Sequence, residues 1–167
     1  MTQIRDALPG DVPAITAIAN ALLDTTTYEW TEQPHTPAER TAWLARQAAA
    51  GHPVLVATTG EGEVVGWAAY GDFRDTRRWP GYRPTVEHTV HVREDHWGQG
   101  VGRRLLDALA DRARQAGHRV MVAGIDGSNV DSVRFHARLG FTEVGRLPGV
   151  GEKHGRRLDL VLMQRDL

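Results

Sequence analysis

The sequence of 167 residues lacks cysteine, which excludes disulfide bonds, thiol catalysis and cysteine-ligated zinc. It has no stretch approaching the ~20 apolar residues that cross a bilayer. Its first residues, 1–6, contain no apolar run of the kind found in signal peptides. We therefore expect a cytoplasmic protein that does not enter a membrane.

An excess of charge of one sign is also missing, because 20 Lys and Arg side chains face 21 Asp and Glu side chains. Proteins that bind nucleic acid usually carry a clear basic excess, so we expect no nucleic-acid partner. The charges are unevenly distributed: residues 1–60 hold 3 basic and 6 acidic side chains, and residues 61–167 hold 17 and 15. An anionic ligand is therefore expected in the second part.

What the sequence does contain is typical of a globular protein, and its length predicts one domain over residues 1–167. The spacing of apolar residues and the turn signals predict one mixed α/β layer structure. Helices are predicted from an Asp11 cap, from the capping box Thr36-Pro37-Ala38-Glu39 to Gly51, from Gly102 to Ala116, and from Ser128 or Asn129 to Leu139. Strands are predicted at 53–57, 64–70, 85–92, 119–125, 141–147 and 158–163, the last two antiparallel, with an irregular arm at 71–84.

A glycine-rich turn, Trp97-Gly98-Gln99-Gly100-Val101-Gly102, lies between a predicted strand and a predicted helix. Glycines at alternate positions let backbone N–H groups turn inward, and the helix N-terminus adds a positive dipole end. These features favour a phosphate site, although a plain strand-to-helix turn is the alternative. The turn has neither the Gly-Lys-Ser/Thr ending of a P-loop nor the position of a dinucleotide-binding motif.

The strand before this turn carries a polar stripe, with Glu87, Thr89 and His91 on one face and His88 on the other. Because strands inside a mixed sheet normally bury both faces, the stripe indicates a cleft. Glu87 would then have a raised pKa that suits a general base, unless it is a solvated glutamate on an edge strand. We expect His88 to be hydrogen-bonded inside the sheet. His88 and His91 point to opposite faces, so no metal site is expected.

Two polar residues follow in the next helical segment, Asn129 at its start and His136 on its body. Asn129 is explained equally well as an N-cap, and His136 as a packing residue beside Phe135. By themselves these positions decide no function.

Together these features resemble the GNAT N-acetyltransferases: a strand with a glutamate, a Gly-x-Gly turn opening a helix, an Asn after the next strand, and Leu139-Gly140-Phe141. The resemblance covers nearly the whole chain. The segment 20–30 and four motifs resemble the phosphinothricin and methionine sulfone acetyltransferase branch. These motifs are Gly71-Asp72-Phe73-Arg74, Thr85-Val86-Glu87-His88-Thr89-Val90, Val120-Met121-Val122-Ala123 and Leu158-Asp159-Leu160-Val161-Leu162-Met163.

The resemblance implies a GNAT fold: a central, mostly antiparallel sheet, splayed at its middle and flanked by helices, with acetyl-CoA as co-substrate between two strands. It implies that His136 stands where many GNAT enzymes place a tyrosine that protonates the departing thiolate. Trp97 replaces the usual Arg or Gln of the phosphate motif, and we expect altered contacts on the adenine side. The implied cofactor contacts are Val90, His91, Val92, Gly98, Gln99, Gly100, Val101, Gly102, Arg103 and Asn129.

The leading hypothesis is therefore an enzyme that acetylates the α-amine of a small amino-acid analogue, with Glu87 as base and His136 as acid. We expect a homodimer from the family resemblance and no metal. Alternatives are a GNAT enzyme acting on a peptide N-terminus or another small amine, such as a polyamine, and a non-catalytic module that binds acetyl-CoA. The expected acceptor contacts are Arg74, Asp75, Thr76, Glu87, His88 and Thr89.

Overall fold

The computed structural model describes residues 2–167; Met1, the first residue of the segment inspected for a signal peptide, lies outside them. Seven strands form one sheet in the order β1-β2-β3-β4-β5-β7-β6. The strands are β1 (Gln3–Asp6), β2 (Val54–Thr58), β3 (Val64–Asp72), β4 (Thr85–Val92), β5 (Val120–Asp126), β6 (Thr142–Lys153) and β7 (Arg156–Asp166). The helices are α1 (Val12–Asn20), α2 (Pro37–Ala49), α3 (Val101–Gln115) and α4 (Val130–Arg138).

The centre of the sheet contains one parallel pair, β4 with β5, while every other neighbouring pair is antiparallel. This parallel pairing extends only from Thr85 opposite Val120 to Glu87 opposite Val122. Both strands continue beyond that point, but within residues 2–167 they no longer pair with each other. The expectation of a mostly antiparallel sheet splayed at its middle is confirmed.

The helices cover the two faces of the sheet and create a core on each. The apolar face of α3, including Leu105, Leu106 and Leu109, packs on one side against strand residues such as Val86 and Met121. On the other side, α1 and α2 pack against β2 and β3 around Trp67. A strand in the middle of this sheet therefore has a different environment on each face.

The two helix-start signals have different outcomes. At α2 the capping box is confirmed, because the Glu39 N–H donates to the Thr36 hydroxyl at 3.2 Å and the Thr36 N–H donates to the Glu39 carboxylate at 2.7 Å. Asp11 occupies the N-cap position of α1, as predicted, but its side chain makes no capping hydrogen bond. A 3-10 turn precedes α1, and the Asp11 carboxylate instead accepts the Leu8 N–H at 2.7 Å and pairs with Arg5 at 2.7 Å.

Three strand predictions need correction. β1 was not predicted, because four residues are too few to show an alternating pattern. β6 and β7 extend well beyond the predicted segments, toward a shared hairpin tip. Two register shifts interrupt β6, one between Glu143 and Gly145 inside the predicted segment and one between Leu147 and Gly151 at its end. The predicted arm at 71–84 begins with the last two residues of β3 and contains one 3-10 turn, Pro80–Tyr82.

The tip of the β6–β7 hairpin is held by the polar and aromatic segment 25–30 and the residues beside it. The ammonium group of buried Lys153, the single lysine of the sequence, donates to the Thr26 carbonyl at 2.9 Å. The His154 N–H donates to the Glu32 carboxylate at 2.7 Å, and the Trp30 ring lies directly over Gly151. Among residues 2–167 no helix has the length and apolar character needed to cross a membrane.

Candidate active site

The opening between β4 and β5 forms a cleft of about 660 Å³. Its walls come from the unpaired ends of both strands, from the glycine-rich turn before α3 and from α4. The structure places most of the predicted residues here. Those that line the cleft are His88, Thr89, Val90, His91, Val92, Gly98, Gly100, Val101, Gly102, Arg103, Asn129 and His136.

The glycine-rich turn has the geometry of an anion site. Gly98 and Gly100 have φ of +73° and +77°, a left-handed conformation that side chains other than glycine rarely adopt. The helix α3 begins directly after Gly100, so its first N–H groups have no carbonyl partner inside the helix. The residues that carry them line one end of the cleft. The Gln99 side chain does not line the cleft, because its amide donates to the Asp95 carbonyl at 3.0 Å.

Trp97, the residue that departs from the usual motif, is half exposed, and its indole N–H donates to the Val92 carbonyl at 2.7 Å. This bond ties the turn to the end of β4. Asn129 acts as an N-cap, since its side-chain oxygen accepts the Ser132 N–H at 3.1 Å, and it also lines the cleft. The two interpretations of Asn129 are therefore compatible.

A second cavity, a trough of about 320 Å³, lies on the face of β4 that carries Glu87, Thr89 and His91. The predicted polar stripe of β4 therefore lines a cavity, here the trough, and the expectation that this face of β4 lines a cavity is confirmed. Because β4 lies between β3 and β5, the alternative of a solvated edge-strand glutamate is excluded. Thr89, His91 and Glu29 line both the trough and the cleft, so the two cavities adjoin.

The Glu87 carboxylate lies at the boundary between these cavities. A Cβ atom added to Gly124, which lines the cleft from β5, would be 3.1 Å from Glu87 Oε1. Burial raises the pKa of the Glu87 carboxyl, while the positive charge of Arg74 acts in the opposite direction. The raised pKa expected from the sequence agrees with this direction, and a carboxylate with a raised pKa is a better proton acceptor than an ordinary glutamate.

On the opposite face of β4, His88 stacks on His136 with ring centroids 5.1 Å apart. The expectation that His88 is hydrogen-bonded is wrong, because neither of its buried ring nitrogens has a partner within residues 2–167. Its neighbours are aromatic rings, His136 and Phe141, and not the polar groups of the sheet. Burial lowers the pKa of His88 to about 3, and the neighbouring His136 adds to this effect.

His136 has a defined tautomer. Its Nδ1 lies 2.7 Å from the Ser132 carbonyl, which can only accept, so Nδ1 carries the proton and Nε2 presents a lone pair. Nε2 is buried and has no partner within residues 2–167. Burial lowers the pKa of His136, although the bond to Ser132 acts in the opposite direction. The resting side chain is therefore a neutral hydrogen-bond acceptor beside the cleft.

The structure does not bring the predicted arm residues into either cavity. Arg74 is exposed and stacks on the Phe73 ring, with its guanidinium carbon 4.3 Å from the ring centroid. The Thr76 hydroxyl donates to the Asp72 carboxylate at 2.7 Å, and the Asp75 carboxylate accepts the Arg77 N–H at 3.0 Å. Asp75 and Thr76 therefore satisfy their polar groups inside the arm itself.

The sequence interpretation missed the other wall of the trough, which comes from the loop before α2 and from α2 itself. This wall supplies Glu29, His35, Arg40 and Trp43. An arginine three residues before a tryptophan on one helix face was the available signal. Which residues the arginine faces depends on how α2 packs against β3, and no local pattern identifies that contact. Among residues 2–167, no group of three or more His, Asp or Glu side chains is placed to hold a metal ion.

The sequence matches the Acetyltransferase (GNAT) family over residues 15–141. It is 49% identical to the L-methionine sulfoximine/L-methionine sulfone acetyltransferase of Pseudomonas paraeruginosa, over 98% of this chain and 94% of that protein. It is 39% identical to the phosphinothricin N-acetyltransferase of Alcaligenes faecalis, over 98% and 82%. The structure of yncA from Salmonella typhimurium with its cofactor acetyl-CoA has a TM-score of 0.93 at 43% identity, covering 100% of this chain and 94% of that one.

The buried position of Glu87 predicts a pH-dependent effect on stability. A carboxyl with a raised pKa in the native state binds its proton more tightly there than in the unfolded chain, so deprotonation destabilises the fold. Glu87→Gln should match the wild type below the ordinary glutamate pKa of about 4.3, and should become the more stable protein as the pH rises through the native pKa. Urea unfolding at a series of pH values measures the difference.

Glu61→Gln is the matched control, because it makes the same change at the exposed turn between β2 and β3, outside both cavities, and its stability is measured over the same pH range. A stability difference between Glu87→Gln and the wild type that does not change with pH, or a growing advantage of the wild type, would contradict the prediction and show that the carboxylate is well solvated or paired.

Proposed function

The chain belongs to the GNAT family of acetyltransferases, and from this premise we propose that it moves the acetyl group of acetyl-CoA to the α-amine of a small amino-acid analogue. The analogues are of the methionine sulfone, methionine sulfoximine or phosphinothricin type. One observation carries the proposal. The cleft between β4 and β5 adjoins a smaller trough, and the buried carboxylate of Glu87 lies where the two meet.

The cleft residues fit acetyl-CoA, which supplies an acetyl group held as a thioester. Beyond Glu87, β4 has no strand partner on the β5 side within residues 2–167, so its backbone groups at 90–92 can bond to an extended amide chain. The left-handed glycines and the start of α3 offer N–H groups to a pyrophosphate at residues 98–103. Gln99 takes part through its backbone, because its side chain is bonded to Asp95. Asn129 lies at the wall formed by α4.

Glu87 is the group that takes the proton from the acceptor ammonium, directly or through one water. The raised pKa of Glu87 brings its proton affinity closer to that of an amine, which suits general-base catalysis. Although the Arg74 side chain lines neither cavity, its charge acts on Glu87, and it is the cation we assign to the α-carboxylate of the acceptor. We assign a backbone N–H near Val90 to the carbonyl oxygen of the thioester.

His136 is the residue we assign to the departing thiol, with a condition set by its tautomer. Its Nε2 accepts a hydrogen bond in the resting state, because Nδ1–H is held by the Ser132 carbonyl. It therefore protonates the thiolate only after Nε2 itself has received a proton during turnover. His88 cannot replace Glu87 as the base, since it faces the opposite side of β4 and its pKa is about 3.

The proposal is tested by thiol release from acetyl-CoA with a panel of acceptors. We expect release with methionine sulfone, methionine sulfoximine or phosphinothricin, and little with a peptide N-terminus or a polyamine. Glu87→Gln should lower kcat at pH 7 by about 10²–10⁴-fold, with partial recovery at high pH where free amine is present. Its affinity for acetyl-CoA should be unchanged. Binding of acetyl-CoA without acceptor-dependent thiol release would identify a non-catalytic module.

The phosphate site has a test of its own. Gly100→Ala places a side chain at a left-handed position of the turn and should weaken acetyl-CoA binding, because the turn must change its backbone conformation. Gly62→Ala is the matched control: its φ of +85° carries the same strain, at a hairpin turn that lines neither cavity. Equal affinities of the two variants by titration calorimetry would remove residues 98–103 from the phosphate site.

We also propose a cytoplasmic homodimer whose protomer is one domain over residues 1–167. Large apolar side chains exposed on the arm and on the edge strand β6 support an association surface: Trp79, Tyr82, Val144, Leu147 and Val150. Sedimentation equilibrium should give twice the chain mass of 18.4 kDa. A mass of one chain at micromolar concentration would reject the dimer, and cell fractionation checks the location.

A further inference from the structure

The trough beside Glu87 has a shape set by the pairing of β3 with β4. Residues opposite each other in antiparallel strands point to the same face, so alternate pairs form its floor. Large rings stand at one end, the Glu87 carboxylate stands at the other, and small side chains leave the middle open. From one end to the other, the pairs in order are Trp67–His91, Ala69–Thr89 and Gly71–Glu87.

Arg40 stands at the end of the trough away from Glu87. Its guanidinium carbon lies 5.1 Å from the Trp43 ring centroid and 5.3 Å from the Trp67 ring centroid. Along β3, Trp67 lies four residues from Gly71, which is opposite Glu87, and this corresponds to roughly 13 Å. Two tryptophan rings therefore hold a cation at a fixed distance from the proposed base.

This cation has no ion pair and no side-chain hydrogen bond within residues 2–167, and its Nε is buried without a partner. The two acidic groups whose charges act on it are both bonded to other partners. Glu29 lies 2.7 Å from Nε2 of His91, and Glu39 closes the capping box of α2. Because a half-buried guanidinium with unmet donors is costly, an incoming oxygen acceptor would be bound strongly at this position.

We propose that the trough holds the side chain of the acceptor and that Arg40 binds the oxygen atoms of a tetrahedral sulfur or phosphorus group at its end. This inference rests on the proposed function, which places the α-amine at Glu87. The α-carboxylate is too close to the amine to reach Arg40. A side chain of two methylenes that ends in a sulfonyl group, with a hydrogen bond at each end, spans a distance similar to the roughly 13 Å between the two ends of the trough. Arg40 is thus a specificity-determining residue.

The test compares two acceptors that differ only in the sulfonyl oxygens, L-methionine sulfone and L-methionine. The wild type should have the higher kcat/KM for the sulfone. Arg40→Gln should lower kcat/KM for the sulfone by roughly 10- to 100-fold, as expected for loss of a hydrogen bond to a charged group, and should leave that for methionine nearly unchanged. The ratio of the two values is the readout, and a general structural defect would lower both values together.

Arg46→Gln is the matched control, because Arg46 lies on the exposed face of the same helix and lines no part of the trough. Arg40→Lys keeps the charge and should restore part of the sulfone preference. A wild-type ratio near one, or an Arg40→Gln ratio equal to that of the wild type, overturns the role of Arg40 and leaves the proposed function intact. A wild type that binds acetyl-CoA but acetylates no amino acid overturns both.

Should Arg40→Gln fail to fold, Arg40→Lys and a binding measurement carry the test. Trp43 and Trp67 line the trough, so methionine sulfone should change the tryptophan fluorescence of the wild type, and methionine should do so only at higher concentration. Equal dissociation constants for the two ligands would overturn the inference without any measurement of activity.

Discussion

The parallel pairing of β4 with β5 is the constraint on which the rest of the structure depends, and it lasts for only three residue pairs. Two parallel strands need a crossover connection, and here that connection is the glycine-rich turn and α3. The crossover starts where β4 ends, so the N-terminus of α3 necessarily lies at the open end of the gap. Gly66 of β3 permits the close packing of α3 against the sheet, because a Cβ at this position would be 2.9 Å from the His91 carbonyl oxygen and 3.2 Å from the Leu105 side chain.

The opening of the sheet also places different chemistry on the two faces of one strand. Because side chains alternate, Glu87 faces the trough under α2, while His88 faces the core formed with α4. Burial acts on both, and in each case it favours the neutral form: it raises the pKa of Glu87 and lowers the pKa of His88. The carboxyl becomes a better proton acceptor and the imidazole a poorer one. A single physical cause therefore separates their roles.

Much of the site could be predicted from the sequence because its signals are local. β4 was predicted with its observed bounds, and the turn at 97–102 and the Asn129 cap lie within a few residues of their partners. Arg40 and His88 could not be understood this way. Arg40 acquires its role from Trp67, which lies 27 positions later, and His88 lost its expected hydrogen bonds because α4 and Phe141 surround it with rings. The extended end of the β6–β7 hairpin contacts Thr26 and Glu32, and these contacts are also long-range.

The division of β4 into two faces constrains how protons move in the proposed reaction. In that proposal Glu87 takes the ammonium proton on the trough side, and His136, which stacks on His88 on the other face of β4, protonates the thiolate. Glu87 and His136 therefore lie on opposite faces of the strand that separates them, and the proton released at one is not handed directly to the other. In the proposed reaction, the cleft, which is lined by His136 and by Gly124 beside Glu87, is the route by which water returns Glu87 to its ionised state and brings a proton to Nε2 of His136. The gap that opens where the pairing of β4 with β5 stops thus admits the cofactor. It also connects Glu87 and His136, which the sheet would otherwise isolate from each other.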